Sequence, residues 1–376
     1  MGLISAFRTL TLAAAAAFVC VPVSAVSSPA ELAVSHIDGA FDIALRFDGR
    51  QLDLTLERSA SVADVAASGT EHLVGSVVDA PDSWARLSLD QTGGWAFGLV
   101  RHGDTLFAID RRPSGLLWVE SLQTIPPDLE AVTRVLPLAV VVDTAYDEAF
   151  DGFGRRRAVA LVNQLDGLYR EQLGLGVELV AARVLADPER DPMRHTEGSL
   201  AELLLAFRRY RQSDKTLPEG VGAVHLFSGA QLSDRRMGLA YTGGVCDPSG
   251  HDVSVSRTRL ELVTLAHELA HSLGASHDQQ SACAAQGLLM DATVRRGASL
   301  QMSDCTVRTI QAGFTRGCFK AAPSGRQLAF STAGLLPRDG LRFPEVQGAV
   351  PPTEPVSPFA LLVIAVAAVG LVRRRN

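Results

Sequence analysis

The sequence predicts an α/β domain built on a mostly parallel, twisted sheet and preceded by a small antiparallel β domain. Three patterns predict it. From Leu136 onward, strand-like apolar runs alternate with helical ones; between Ser28 and Arg112 hydrophobicity alternates with period two; and one helix carries a spaced set of histidines.

The chain has 376 residues, 47% of them hydrophobic and 20% charged, enough to bury a core in about two domains. A net charge of -6 supplies no general attraction to nucleic acid, so no such partner is expected. At the N-terminus, Arg8 precedes an apolar run from Leu10 to Val19, and Val23-Ser24-Ala25 is a small-residue cleavage pattern. Residues 1–25 therefore read as a signal peptide, cut by signal peptidase during export.

Residues 26–133 follow with Phe41–Phe47, Leu52–Leu56 and Trp84–Leu89, alternating segments separated by Gly, Asp and Pro turns. His72 and His102 are read as exposed loop histidines, and Arg111, Arg112 and Arg134 as candidate processing points. Residues 134–322 then carry an apolar strand over Leu136–Asp143, a helix over Arg156–Gln172 and a strand over Gly176–Val184. After a polar stretch comes a helix bearing Leu200, Leu203, Leu204, Phe207 and Tyr210. A capping box, Thr258 with Glu261, opens the next helix, in which Leu262, Leu265, Ala266, Leu269 and Leu273 recur at helical spacing.

That last helix contains His267-Glu268-Leu269-Ala270-His271 and is followed by Gly274 and His277. Histidines four apart lie on one helix face, so both rings reach one metal ion. Gly274 ends the helix where a left-handed residue is cheap, and the reversed chain brings His277 to the same ion. Three neutral imidazoles leave a fourth position for water, the arrangement of a catalytic zinc site, and Glu268 beside the first ligand is the candidate general base. One catalytic zinc ion is the expected cofactor.

Cleavage after Ala25 removes Cys20 and leaves Cys246, Cys283, Cys305 and Cys318. An even number in an exported chain favours two disulfides, with three pairings open.

The extended histidine motif, with Met290 in Gly287-Leu288-Leu289-Met290, resembles the metzincin zinc peptidases. Asp278, directly after the last histidine, resembles the adamalysin or reprolysin branch, and the likeness spans roughly Arg134 to Lys320. The resemblance implies a zincin-like fold with a mixed sheet and zinc-dependent endopeptidase activity on a protein or peptide substrate. It assigns Met290 to an apolar floor beneath the ligands and pairs Cys246 with Cys318 and Cys283 with Cys305. It also implies an antiparallel edge strand, placed here over Leu239, Ala240, Tyr241, Thr242 and Gly243, that pairs with substrate backbone. The run Gly75–Leu89, followed by Gly93-Gly94, resembles the propeptide of ADAM proteases. That segment contains no cysteine, so a thiolate switch is not expected. The family's structural calcium is not predicted either, because Pro137 stands where an acid is expected and Phe319-Lys320-Ala321 supplies no asparagine.

Residues 323–357 read as a proline-rich linker and 358–376 as an apolar segment ending in Arg373-Arg374-Arg375. The run Phe359–Val372 is short of the about 20 residues a span needs, and the arginines favour a cytoplasmic end. Together these resemble bacterial C-terminal sorting signals, which implies a transient membrane anchor, a sorting enzyme that removes it, and a Gram-negative source with the protein secreted or at the surface. A retained tail anchor is the alternative. Two other functions compete with the peptidase: a non-catalytic binding module on the same fold, and a zinc hydrolase of a non-peptide amide.

Overall fold

Eight strands in the first third of the chain close on themselves. They are β1 (Ser27–Ile37), β2 (Ala40–Phe47), β3 (Arg50–Arg58), β4 (Thr70–Val77), β5 (Trp84–Asp90), β6 (Ala96–His102), β7 (Thr105–Arg111) and β8 (Leu117–Thr124). Each pairs antiparallel with the next, and β8 returns to β1 through Ala30 opposite Leu117, making a closed barrel. The period-two pattern is the reason: Ile43, Leu45, Leu54, Leu73, Leu87 and Ile109 all fall on the inward face and fill the barrel. This computed structural model describes residues 27–37, 39–65, 69–90, 94–111, 115–124, 132–194, 196, 198–280, 287–293 and 299–322. The predicted signal peptide, linker and C-terminal apolar segment lie outside them. Among the described residues, no helix is long and apolar enough to cross a membrane.

The second part contains β9 (Arg134–Val142), α1 (Thr144–Ala149), α2 (Gly154–Leu173), β10 (Leu175–Val184), α3 (Leu200–Ser213), β11 (Ala223–Ser228), β12 (Gly238–Ala240), β13 (Val253–Arg257), α4 (Glu261–Ser272), α5 (Asp304–Ala312) and β14 (Lys320–Ala321). Its sheet runs β10-β9-β11-β13-β12, with β14 beside the start of β9. The first four are parallel; β12 and β14 are antiparallel to their neighbours. β9 is an unbroken apolar run because both its faces are covered. Leu136, Leu138, Val140 and Val142 join the core with α2 and α4, whereas Ala139 and Val141 meet Leu200, Leu203 and Phe207 of α3.

Three sequence expectations require correction. Thr258 does not cap the helix of the histidines: α4 begins at Glu261, after Leu260 in a left-handed conformation (φ 51°) with no side-chain cap. Glu261 is thus the first helical residue, and its carboxylate is taken by Arg157 and Tyr146 instead of reaching back to a cap. His72 is no loop residue but a buried member of β4, with Nδ1 hydrogen-bonded to Ser88 Oγ at 2.8 Å, and burial lowers its pKa to about 4. Arg134 is the first residue of β9, paired with Leu175 and Ala321, so cleavage there cuts into a sheet strand.

The barrel and the sheet domain meet across α2. Asp166 is completely buried and accepts from Arg86 (2.9 Å) and Ser61 (2.8 Å) of the barrel half, and from Arg170 (2.7 Å) and the Val177 amide (2.8 Å). Arg101 of β6 pairs with Glu171 at 2.5 Å, both side chains buried. Asn163 donates to the carbonyls of Leu73 and Leu87, and Gly167 lets Trp84 and Arg86 lie directly on the helix. Removing one member of a buried ion pair strands the other, so Asp166→Ala is expected to cost about 3–5 kcal/mol, read as a lowered midpoint in urea unfolding.

Candidate active site

The helix α4 ends in a short hydrogen-bonded turn. Gly274 (φ 112°) donates to His271 O at 2.8 Å, and Ala275 donates to Ala270 O at 3.0 Å, a Schellman-type termination. The reversal brings His277 back, and the nearest side-chain nitrogens of His267, His271 and His277 all lie within 4.8 Å of one another. The Nε2 atoms of His271 and His277 are 3.2 Å apart. Two ligands at about 2.0–2.1 Å from one tetrahedral zinc ion are separated by about 3.3 Å, so this spacing suits a shared metal.

The ring orientations also fit. His267 Nδ1 contacts Leu289 O at 2.7 Å and His271 Nδ1 contacts Ala275 O at 2.8 Å. A carbonyl can only accept, so Nδ1 carries the proton in both rings and Nε2 keeps its lone pair for a metal. Burial holds His267 down at about 4 and lowers His271 as well, keeping both rings neutral.

Glu268 is buried beside them, and burial pushes its carboxyl up to about 8 against the pull of Arg236. Its Oε2 has no hydrogen-bond partner among the described residues. The edge strand β12 lies against this carboxylate: a Cβ on Gly238 would stand 2.6 Å from Glu268 Cγ and Oε1. β12 pairs with β13 through Gly238–Ser256, Leu239–Val255 and Ala240–Ser254. The predicted strand is therefore shifted and shortened. Tyr241, Thr242 and Gly243 leave it in a turn, because Gly243 (φ 73°) donates to His271 O and Gly244 to Tyr241 O.

Two ties hold the parts together. Asp278, fully buried, accepts from Ser303 Oγ (2.5 Å), the cap of α5, and from Thr306 Oγ1 (3.2 Å) in its first turn, and its amide donates to Met290 O. Met290 is itself fully buried, in one core with Leu269, Ala270 and Ala275. Cys246 and Cys318 form a disulfide, and Arg316 next to it donates to the carbonyls of Gly243 and Val245. Cys305 is also disulfide-bonded, whereas Cys283 lies outside the described residues. Sequence reasoning did not find the roles of Arg316 and Ser303; for Ser303 a signal existed, the serine three residues before Thr306 that caps α5.

Residues 135–319 match the family model described as reprolysin (M12B) family zinc metalloprotease. This part of the chain is an adamalysin/reprolysin-type metzincin. The reprolysin domain is 25% identical over 194 residues to the snake venom metalloproteinase trimerelysin-2 of Protobothrops flavoviridis, covering 49% of this chain and 92% of that protein. The crystal structure of metalloproteinase-II from Bacteroides fragilis aligns at 13% identity with a TM-score of 0.45, over 72% of this chain and 90% of that one. The protein is accordingly a zinc metalloprotease. Gly238→Ala forces Glu268 or β12 to move, and a displacement near 1 Å costs about 10²-fold in rate. The variant is expected to keep its zinc content and lose activity by that order, measured as kcat/KM on a peptide substrate.

Proposed function

We propose that the protein is an exported zinc endopeptidase in which His267, His271 and His277 hold the metal and Glu268 is the general base. The observation that carries this reading is the convergence of three imidazoles beside a buried, unpartnered carboxylate. When bound, zinc supplies Lewis acidity that polarises the scissile carbonyl and acidifies a water molecule. Glu268, ionised beside the bound cation, which would oppose the burial that raises its pKa, would accept a proton at its carboxylate oxygen and later deliver it to the leaving amine. Gly238–Ala240 positions an extended substrate by pairing with its backbone, since β12 is the last strand of the sheet. Met290 forms the apolar floor under the ligands. Cys283 is the partner of Cys305, closing the loop around Met290.

The same reading includes residues 26–133 as a propeptide-like domain, a signal peptide at 1–25 and a C-terminal anchor trimmed by a bacterial sorting enzyme. It is supported by Val23-Ser24-Ala25, Gly75–Leu89 and the Pro344–Arg375 tail. Glu268→Gln is expected to retain zinc and to lower hydrolysis by about 10²–10⁴-fold. Turnover within about tenfold of the unsubstituted chain removes the base assignment. His277→Ala is expected to lower bound zinc, measured by elemental analysis of the purified protein. Chelator-sensitive cleavage of a peptide library separates the peptidase from a binding module and from a hydrolase of non-peptide amides.

A further inference from the structure

Three consecutive arginines open α2, at the helix end where positive charge is disfavoured. Each engages the barrel half or stacks on its aromatic rings. Arg155 donates to Val65 O at 3.0 Å, the Arg156 guanidinium lies 4.5 Å from the Trp95 ring centre, and that of Arg157 lies 4.5 Å from Phe97. Arg157 also stacks on Phe150 at 4.7 Å and pairs with Glu261 through Nε at 2.7 Å. Tyr146 donates to the other oxygen of the same carboxylate.

Glu261 is where α4 starts. With Leu260 offering no side-chain cap, Glu261 is the anchored side chain at this helix end. His267 follows six residues later, about 9 Å along the axis. A second contact from α2, Tyr169 OH to Ala266 O at 2.7 Å, meets α4 immediately before that ligand. Helix α2 is itself pinned to the barrel by the buried Arg86–Asp166 and Arg101–Glu171 pairs. Among the described residues, the side-chain partners of His267, His271 and His277 are Leu289, Ala275 and one another, and none comes from the barrel.

We infer that the barrel is a retained positioning domain: through Phe97 and Arg157 it fixes Glu261, and with it the helix that presents His267 and Glu268, so full activity requires the barrel to stay docked. Arg157 and Glu261 are positioning residues; neither touches substrate. A segment that resembles a propeptide thus works from behind the active-site helix. This inference rests on the peptidase reading above.

The test uses the full chain with a site-specific protease sequence placed within residues 125–131, between β8 and β9. After cutting, the barrel is expected to co-elute with the protease half in gel filtration, with kcat/KM within about threefold of the uncut chain. Loss of the barrel accompanied by a rise in activity overturns the inference and makes the segment an inhibitor. Separately, Arg157→Met is expected to lower kcat at least tenfold with KM changed less than twofold and zinc stoichiometry unchanged. Amide exchange across residues 261–272 is expected to speed up at least tenfold, and Arg157→Lys to restore part of both. An unchanged kcat and exchange rate in folded Arg157→Met overturns the coupling; if that variant does not fold, Phe97→Leu is read in the same way. Wild-type and Glu268→Gln chains run in parallel, and equal turnover by these two sinks the peptidase reading itself instead.

Discussion

Two histidines on a helix and a third beyond its end can share one ion only if the helix stops at a set residue and the chain reverses at once. In this protein that constraint is met at Gly274, whose φ of 112° an L side chain adopts only under strain. The carbonyls freed at the helix end are not left to water. His271 O receives Gly274 and Gly243, Ser272 O receives Val245, and Ala275 O receives the His271 ring. The loop that follows the edge strand and the end of α4 are therefore parts of one hydrogen-bonded structure. Arg316 and the Cys246–Cys318 disulfide lock its outer side, and Asp278 locks the inner side to the Met290 turn and to α5.

The opposite end of the metal helix is built differently. It lacks a side-chain cap and begins after a left-handed leucine, and its first residue, Glu261, has its carboxylate held between Arg157 and Tyr146. Unpaired cations at a helix N-terminus cost about 0.3–1 kcal/mol each. In α2 that cost is offset by stacking on Trp95 and Phe97 and by the ion pair with Glu261. The charges that look misplaced on α2 are thus among those that join the two halves of the molecule.

Much of this was legible beforehand wherever a residue's chemistry and its local spacing suffice. The histidine spacing, Glu268 and Gly274 are local, and so is the period-two texture of β2, β3 and β5. The unbroken apolar run of β9 and the helical pattern of α2 lie within two residues of their predicted bounds, and Leu200 to Tyr210 all fall within α3. The errors fell where a distant partner overrides a local pattern. Thr258 and Glu261 have the spacing of a capping box, but Arg157, 104 residues away in sequence, claims the carboxylate. His72 is polar and flanked by turns, yet the barrel buries it against Ser88.

By itself, then, the sequence determined a candidate donor set: three histidines that converge in the fold, a neighbouring carboxylate, and a helix with a glycine stop that carries them. Such properties depend on residue type and on separations of a few residues, which backbone geometry converts directly into position. Only the tertiary structure decided where the edge strand ends, that eight strands close into a barrel, and that this barrel grips α2 through buried arginine–carboxylate pairs. Those outcomes depend on contacts such as Gly243 with His271, Ala30 with Leu117 and Arg86 with Asp166, whose partners lie far apart in the sequence. Nothing in the local pattern of either partner specifies the other.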